Sequence, residues 1–225
     1  MIKLGCGSFE FDEQHIPDFV DSLTSHHYGK KITLNEKMAS GDYKLLEFQN
    51  GFYAYVSNYI LNQDFELELS VAKDDYLALH INQIQAGAEC KMWLNHQSVS
   101  YDDKVITGIF LTGPNDSFVL SGTSGACVNR LKIMVPKNWV AKHLPSFNGA
   151  LLNTYLEMGR ERLSFDAMDA TYRSLVDKVM HTEDNAFYLS VTQNILAVIT
   201  ERFFNRLGTK LLKNQQGNEL SGRVA

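Results

Sequence analysis

Short runs of alternating hydrophobic and polar residues dominate the chain between positions 43 and 135. The runs are rich in Tyr, Phe, Val, Ile and Leu, and turn compositions such as Asn50-Gly51 separate them. No run with a helical period interrupts them, so the pattern predicts an antiparallel sandwich, jelly roll or small barrel whose sheet closes on itself. The nine predicted strands are 43–48, 52–61, 65–71, 76–85, 89–94, 97–101, 105–111, 117–120 and 126–135.

The period changes after Pro136, which suits the first turn of a helix. From there the apolar residues recur at offsets of three, four and seven, which indicates amphipathic helices. Ser164 is the expected N-cap of the third helix, and Gly208 is expected just beyond the end of the fourth. The predicted helices are 138–144, 151–157, 165–180 and 186–207.

The last predicted helix is apolar around most of its circumference. Phe187, Val191, Ile195 and Val198 widen its main stripe beyond the face of roughly 100° that one packing partner covers. Burial within a single domain would account for this pattern. We favour a second partner, the same helix of another subunit, because symmetric association covers a surplus apolar face. The residues predicted to form this dimer are Leu189, Leu196, Ile199, Phe203 and Leu207.

These patterns divide the chain into three parts. Residues 1–135 form a predicted β domain, and residues 136–212 form a predicted helical segment. Residues 213–225 are mostly polar and contain no apolar stripe. We interpret them as a linker.

Composition and charge narrow the function classes. Hydrophobic residues make up 44% of the 225 residues and charged residues 21%, which is typical of a folded globular protein. The net charge of −5 and the pI of about 5.8 argue against a basic nucleic-acid-binding surface on this chain itself. Three cysteines without a disulfide framework, and no apolar run long enough to span a bilayer, favour a cytoplasmic protein that makes no membrane contact.

Side chains that could carry chemistry are sparse. A catalytic first-row metal site takes about three converging ligands, whereas the seven histidines are scattered, so the sequence predicts no metal and no cofactor. It also lacks a Gly-x-Ser-x-Gly nucleophile motif, and we expect no enzymatic activity. The candidate ligand contacts are polar or aromatic residues of the predicted strands: Tyr55, His80, Asn82 and Trp93.

Three short segments carry a resemblance to a known family. Residues 7–16 read Gly-Ser-Phe-Glu-Phe-Asp-Glu-Gln-His-Ile, residues 76–81 read Tyr-Leu-Ala-Leu-His-Ile before Gly87, and residues 201–204 read Glu-Arg-Phe-Phe. With these segments, the order of β domain, long apolar helix and polar linker resembles the N-terminal half of bacterial AraC-type transcriptional regulators. The resemblance covers most of the chain.

The resemblance implies a cupin-like barrel that senses a small-molecule effector and forms a homodimer. It also implies that DNA is contacted only through a C-terminal helix-turn-helix module, which this chain does not include. Effector binding would shift the population of dimer arrangements and so the spacing of the DNA-binding modules. Two other classes stay open: a cupin-fold isomerase or dioxygenase, and a carbohydrate-binding module whose aromatic residues stack on sugars.

Overall fold

The computed structural model describes residues 2–6, 20–26, 29–71, 75–85, 90–100, 105–145, 147, 149–164, 166–182 and 185–221. All nine predicted strands are present, and three further strands precede them. The strands are β1 Ile2–Cys6, β2 Val20–His26, β3 Gly29–Leu34, β4 Ala39–Glu47, β5 Tyr53–Leu61, β6 Phe65–Val71, β7 Tyr76–Gln85, β8 Cys90–Leu94, β9 Gln97–Ser100, β10 Val105–Thr112, β11 Ser117–Gly122 and β12 Cys127–Pro136.

The strands form two sheets. One has five strands in the order β1-β6-β11-β8-β9, and the other has seven in the order β10-β7-β12-β5-β4-β3-β2. Strand β1 runs parallel to β6, whereas the other neighbours named here are antiparallel. The mixed α and β composition with antiparallel sheets is therefore confirmed. The closure of the sheets into one barrel stays a prediction.

The two sheets pack face to face through an inner core. The Phe118 ring of β11 lies 5.2 Å from the Phe110 ring of β10, which joins the five-stranded sheet to the seven-stranded one. Met92 and Leu94 of β8 are fully buried in the same core. The seven-stranded sheet thus has an inner face toward the other sheet and an outer face on its opposite side.

The helices cover the outer face of the seven-stranded sheet. Buried residues of β7, β10 and β12 form one hydrophobic cluster with residues of the helical segment. Tyr155 of the helical segment also bonds to the sheet, since its Oη accepts a 2.8 Å hydrogen bond from the Leu111 backbone N–H of β10. The helices are α1 Lys137–His143, α2 Gly149–Leu156, a 3-10 helix Gly159–Ser164, α3 Ala170–Met180 and α4 Ala186–Ser221.

The third helix starts later than predicted, and Ser164 is not its cap. Asp166 forms an isolated antiparallel bridge with Ile109 of β10, with N···O distances of 3.1 and 3.2 Å between the two backbones. This pairing holds Asp166 extended, so the helix can begin only after it. Asp169 is the N-cap, because its Oδ1 accepts a 3.0 Å hydrogen bond from the Tyr172 backbone N–H.

The fourth helix begins where predicted but continues through Gly208 to Ser221. Residues 213–221, predicted as a linker, are therefore helical. An interior glycine costs a helix only about 1 kcal/mol relative to alanine. Packing offsets that cost here, because Leu207 and Leu211 on either side of Gly208 are buried. No helix in the described part of the chain combines the length and hydrophobicity of a membrane span.

Candidate ligand-binding site

Five polar side chains gather on the inner face of the seven-stranded sheet, at its strands β10, β7 and β12. The antiparallel register sets His80 opposite Lys132, and Asn82 opposite Arg130. Alternate residues of a strand share a face, so these side chains enter the same layer. Each is at most 6% exposed. The polar cluster comprises His80, Asn82, Thr112, Arg130 and Lys132.

His80 links two members of the cluster and carries no charge. Arg130 Nη2 lies 2.8 Å from His80 Nδ1, and an arginine side chain can only donate a hydrogen bond. Nδ1 is therefore the acceptor, so Nε2 holds the proton and donates it to Thr112 Oγ1 at 2.8 Å. Burial lowers the pKa of His80 well below its ordinary value, and the positive charges of Arg130, Lys132 and Arg162 lower it further. The imidazole is neutral at neutral pH.

Both cations of the cluster lie against aromatic rings. The Arg130 guanidinium carbon is 5.2 Å from the centroid of Phe118, which belongs to the opposite sheet. Lys132 Nζ is 5.4 Å from the centroid of Tyr55 on the neighbouring strand β5. Such contacts stabilise a desolvated cation by about 1–2 kcal/mol. The two cationic side chains therefore lie among aromatic rings of the inner core.

Asn82 presents a buried acceptor to the same layer. Its Nδ2 donates to Met92 Sδ at 3.6 Å, whereas its Oδ1 accepts no hydrogen bond from a residue that the structure describes. A buried acceptor left unsatisfied costs about 1–3 kcal/mol. A ligand that donates a hydrogen bond here would recover that free energy.

The structure brings three of the four predicted contact residues together. Tyr55, His80 and Asn82 lie on the inner face and are at most 4% exposed. Trp93 does not join them. It lies between two fully buried inner-face residues of β8, Met92 and Leu94, so strand alternation puts it on the other face. Trp93 therefore lies apart from the other three residues, because the sequence does not show which parity of this short strand faces inward.

Sequence reasoning missed Thr112, Arg130 and Lys132. Arg130 and Lys132 alternate with buried Leu131 and Ile133 along β12, which is also the pattern of a strand with one solvent-facing side. The one indication of a buried face is at the ends of the strand, where the apolar residues Val128 and Met134 point to the same side as Arg130 and Lys132. An apolar residue at each end indicates that the whole face is covered.

Metal ligation has no support in the geometry of the described residues. They contain no group of three or more His, Cys, Asp or Glu side chains arranged to hold an ion. Both ring nitrogens of His80 already make hydrogen bonds. The expectation that the protein uses no metal stays a prediction.

A third buried cation, Arg162, lies beside the site and forms a bidentate ion pair. Its Nη1 and Nη2 donate to Asp116 Oδ2 and Oδ1 at 2.8 and 2.7 Å, a bidentate ion pair. Burial alone would raise the pKa of Asp116, but hydrogen bonds from Arg162, the Gly113 backbone and Asn95 lower it below its ordinary value. This pair joins the 3-10 helix to the segment between β10 and β11.

The five residues predicted to form a dimer are buried within their own chain. Leu189, Leu196, Ile199, Phe203 and Leu207 are at most 5% exposed and belong to the core between the helices and the outer face. They are not available to a second subunit. A helix that is apolar all round does not show which side its own domain covers, so the sequence could not separate these residues from the exposed ones.

The opposite side of α4 carries the exposed apolar residues. Val191, Val198 and Leu212 are 41, 50 and 51% exposed, and Tyr188 is 45% exposed. With the partly buried Ile195 they follow a heptad spacing, with 188 and 195 at one position and 191 and 198 three residues further on. Leu212 continues the second position two heptads later, beyond the polar residues Arg202, Asn205 and Thr209. We call these five residues the α4 seam.

No protein-family model and no curated protein matches this chain. Among solved structures, the cupin domain of Cnp3 from Schizosaccharomyces pombe is similar to it, with a TM-score of 0.32 and 9% sequence identity. The similarity covers 50% of this chain and 81% of that one. The function proposed next rests on the residues described above.

Proposed function

We propose that this protein is a small-molecule sensing domain whose ligand binds between the two sheets, at the polar cluster. The observation that carries the proposal is the burial of five polar side chains, two of them cationic, within an apolar core. Burying such groups costs free energy that apolar side chains of similar size would not. A binding role explains why they are there.

Binding explains the site better than catalysis. His80 is the one titratable base of the cluster, and both its ring nitrogens are engaged by Arg130 and Thr112. It therefore has no lone pair or proton directed at a reacting group. A cupin-fold enzyme would instead carry stoichiometric metal after purification without chelator, and metal analysis tests that alternative.

The same proposal includes a regulatory output. The resemblance to AraC-type regulators supports a cytoplasmic sensor that forms homodimers and controls a DNA-binding module. Helix α4 is 36 residues long, and its seam of exposed apolar residues at heptad spacing suits a second copy of the same helix. The dimer thus uses the α4 seam and not the buried side of the helix.

Ligand binding is tested by screening a library of neutral, acidic and basic metabolites against the 225-residue chain by nuclear magnetic resonance. Binders are expected to shift the backbone amides of Asn82, Thr112 and Arg130 more than those of surface residues. His80→Phe, which fills the site with an apolar ring, is the loss-of-binding variant. Binders that shift surface amides only, and that His80→Phe leaves unaffected, would contradict a site between the sheets.

The regulatory part is tested by equilibrium sedimentation and by the length of the native gene product. Val191→Asp with Val198→Asp is expected to convert a dimer to a monomer, because charges cannot be buried in an apolar seam. Ile60→Asp, at an exposed apolar residue of β5, is the matched control. A wild-type monomer at tens of micromolar would contradict the dimer, and a native product of 225 residues would contradict the attached DNA-binding module.

A further inference from the structure

Strand β10 takes part both in the polar cluster and in the attachment of the helical layer. Phe110 stacks on His80 at 4.7 Å between ring centroids, and Thr112 accepts the hydrogen bond of the same imidazole. The neighbouring residue Ile109 pairs its backbone with that of Asp166, with N···O distances of 3.1 and 3.2 Å. Because β10 lies at the end of the seven-stranded order, it can shift while the other strands keep their pairing.

The side chain of Asp166 connects this backbone bridge to α4. Asp166 is 2% exposed, and its Oδ2 lies 3.4 Å from Arg206 Nε. Its Oδ1 lies 3.3 Å from Lys210 Nζ. A buried carboxylate separated from its cations is strongly disfavoured, so the position of Asp166 and the position of this part of α4 depend on each other.

The cations of α4 that pair here follow one side of the helix. Arg202, Arg206 and Lys210 are four residues apart, about one helical turn. Asp169, the N-cap of α3, accepts hydrogen bonds from Arg202 at 2.6 Å and from Arg206 at 3.0 Å. The Tyr172 ring lies 5.1 and 5.6 Å from the two guanidinium carbons. Arg206 therefore bridges two carboxylates, one beside β10 and one at the start of α3.

These ion pairs hold α4 along its axis more strictly than its apolar contacts do. The buried side of the helix packs through apolar residues such as Ile199, Phe203 and Leu207. Packed helices can slide by small amounts across an apolar layer. A hydrogen-bonded ion pair instead weakens steeply when its distance or angle changes. A displacement of Asp166 is therefore passed to its cationic partners.

We propose that the pairings of Asp166 and its α4 partners form a link that couples the polar cluster to α4, an inference that rests on the proposed function. A ligand at the inner face contacts Phe110 or Thr112 and displaces β10. Asp166 follows through its backbone bridge, and Arg206 and Lys210 follow through their ion pairs. Helix α4 then changes its position against the sheet, and the α4 seam moves with it. The coupling is reciprocal, so fixing α4 also favours one arrangement of the polar cluster.

The test uses an inner-face substitution as the perturbing event, so it does not depend on the identity of the ligand. Phe110→Leu removes the ring that stacks on the polar cluster, and backbone amide resonances of the 225-residue chain report the response. We expect larger shifts at Arg206 and Lys210 than at Leu196, a buried residue earlier in the same helix. In the Asp166→Asn background, the shifts at Arg206 and Lys210 should fall to the size of those at Leu196.

Hydrogen exchange measures the size of the coupling. Phe110→Leu should raise the exchange rates of the Arg206 and Lys210 amides about fivefold or more relative to Leu196, the low end of coupling between two sites. Asp166→Asn should reduce this ratio to less than about twofold. Asp177→Asn makes the same change at an exposed aspartate of α3 and is the matched control, which should leave the response of α4 unchanged.

The reverse direction distinguishes a link from an ion pair that only stabilises the fold. Arg206→Met should shift the amides of Phe110 and Thr112, whereas Arg206→Lys, which keeps the charge, should return them toward their wild-type positions. Arg173→Met, at an exposed arginine of α3, should leave them in place. Because Arg206 is partly exposed, Arg206→Met also takes the place of Asp166→Asn if that variant does not fold.

The outcomes separate the link from its alternatives. A response at α4 that is lost in Asp166→Asn, with inner-face shifts in Arg206→Met, supports the proposal. A response that persists in Asp166→Asn means that the shared apolar core couples the two layers, and the proposal is wrong. It is also wrong if Phe110→Leu alters only its neighbours on the inner face. Neither contrary result bears on ligand binding at the polar cluster, which the metabolite screen tests separately.

Discussion

The two faces of the seven-stranded sheet are built from the same strands but differ in chemistry. Along β7, β10 and β12, residues of one parity pack under the helices, and residues of the other parity face the second sheet. The helix-facing set is entirely apolar: Leu77, Leu79, Ile81, Ile109, Leu111, Leu131 and Ile133. The other set contains the whole polar cluster. The apolar outer face stabilises the fold, whereas burial of the polar cluster on the inner face lowers its stability.

The difference between the faces shows how a functional site can be located when neither a cofactor nor a sequence motif marks it. Side chains that only stabilise a core are replaceable by apolar residues of similar volume, and the outer face follows that rule where the helices cover it. On β7, β10 and β12, the inner face departs from it at five positions that the strand register brings together. A local departure of this kind is expected at functional sites.

The largest expected effect tests the outer face. Leu131 is fully buried under the helices, so Leu131→Ala creates a cavity and should lower the free energy of unfolding by about 3 kcal/mol. Urea unfolding measures the change. Ile60→Ala, at an isoleucine that is 49% exposed, should lower it by less than about 1 kcal/mol. A similar loss in both variants would remove the distinction between a packed face and an exposed one.

The next effect separates a paired buried cation from the cations of the polar cluster. Arg162→Met leaves Asp116 without its bidentate partner and should cost about 2–3 kcal/mol at pH 7. The lowered pKa of Asp116 stabilises the folded state above the unfolded pKa of about 4, and this contribution is lost as the pH falls further.

The same variant should therefore lose less stability than wild type between pH 5 and pH 3, roughly the window in which a carboxyl with a lowered pKa titrates. Unfolding in urea at these two pH values gives the comparison, with Arg173→Met, at an exposed arginine of α3, as the control. An unchanged acid dependence in Arg162→Met would show that this pair does not hold the pKa of Asp116 down.

Lys132→Met tests the inner face against its neighbour Leu131. If Lys132 serves binding more than packing, Lys132→Met should lower the free energy of unfolding of the unliganded protein by less than Leu131→Ala does, because methionine keeps the buried hydrocarbon stem. Urea unfolding without added ligand measures it, and Lys142→Met gives the effect of losing an exposed lysine. A loss as large as that of Leu131→Ala would make Lys132 a structural residue and erase the contrast between the faces.

Much of the fold was predictable because it depends on local pattern. The nine strands and the start of α4 follow from alternation, turn residues and capping, all of which act within a few residues. The first three strands were not predicted, because polar segments such as Gly29–Leu34 become strands through pairing with β4. The late start of α3 has the same origin, since a backbone bridge to β10 holds Asp166 extended.

The candidate site was predictable only in part, for a reason of geometry. Tyr55, His80 and Asn82 stood out as polar or aromatic residues within strong strands. Arg130 and Lys132 did not, because alternation with Leu131 and Ile133 is the same for a face in water and a face covered by a second sheet. Which face is covered depends on contacts between distant segments, and no local pattern carries that information.

The smallest expected effect concerns Gly208 in the helical layer. If this residue ended α4 in a left-handed conformation, alanine would strain it, whereas inside a continuous helix alanine is favoured by roughly 0.5–1 kcal/mol. A Cβ atom on Gly208 would come no nearer than 4.0 Å to Phe147, an ordinary contact. Gly208→Ala should therefore raise the free energy of unfolding and leave ligand binding at the inner face unchanged. Gly125→Ala is the matched control and should lower the free energy of unfolding, because φ at Gly125 is +86°. A loss of stability in both variants would indicate that Gly208 also has a left-handed conformation and that α4 ends there.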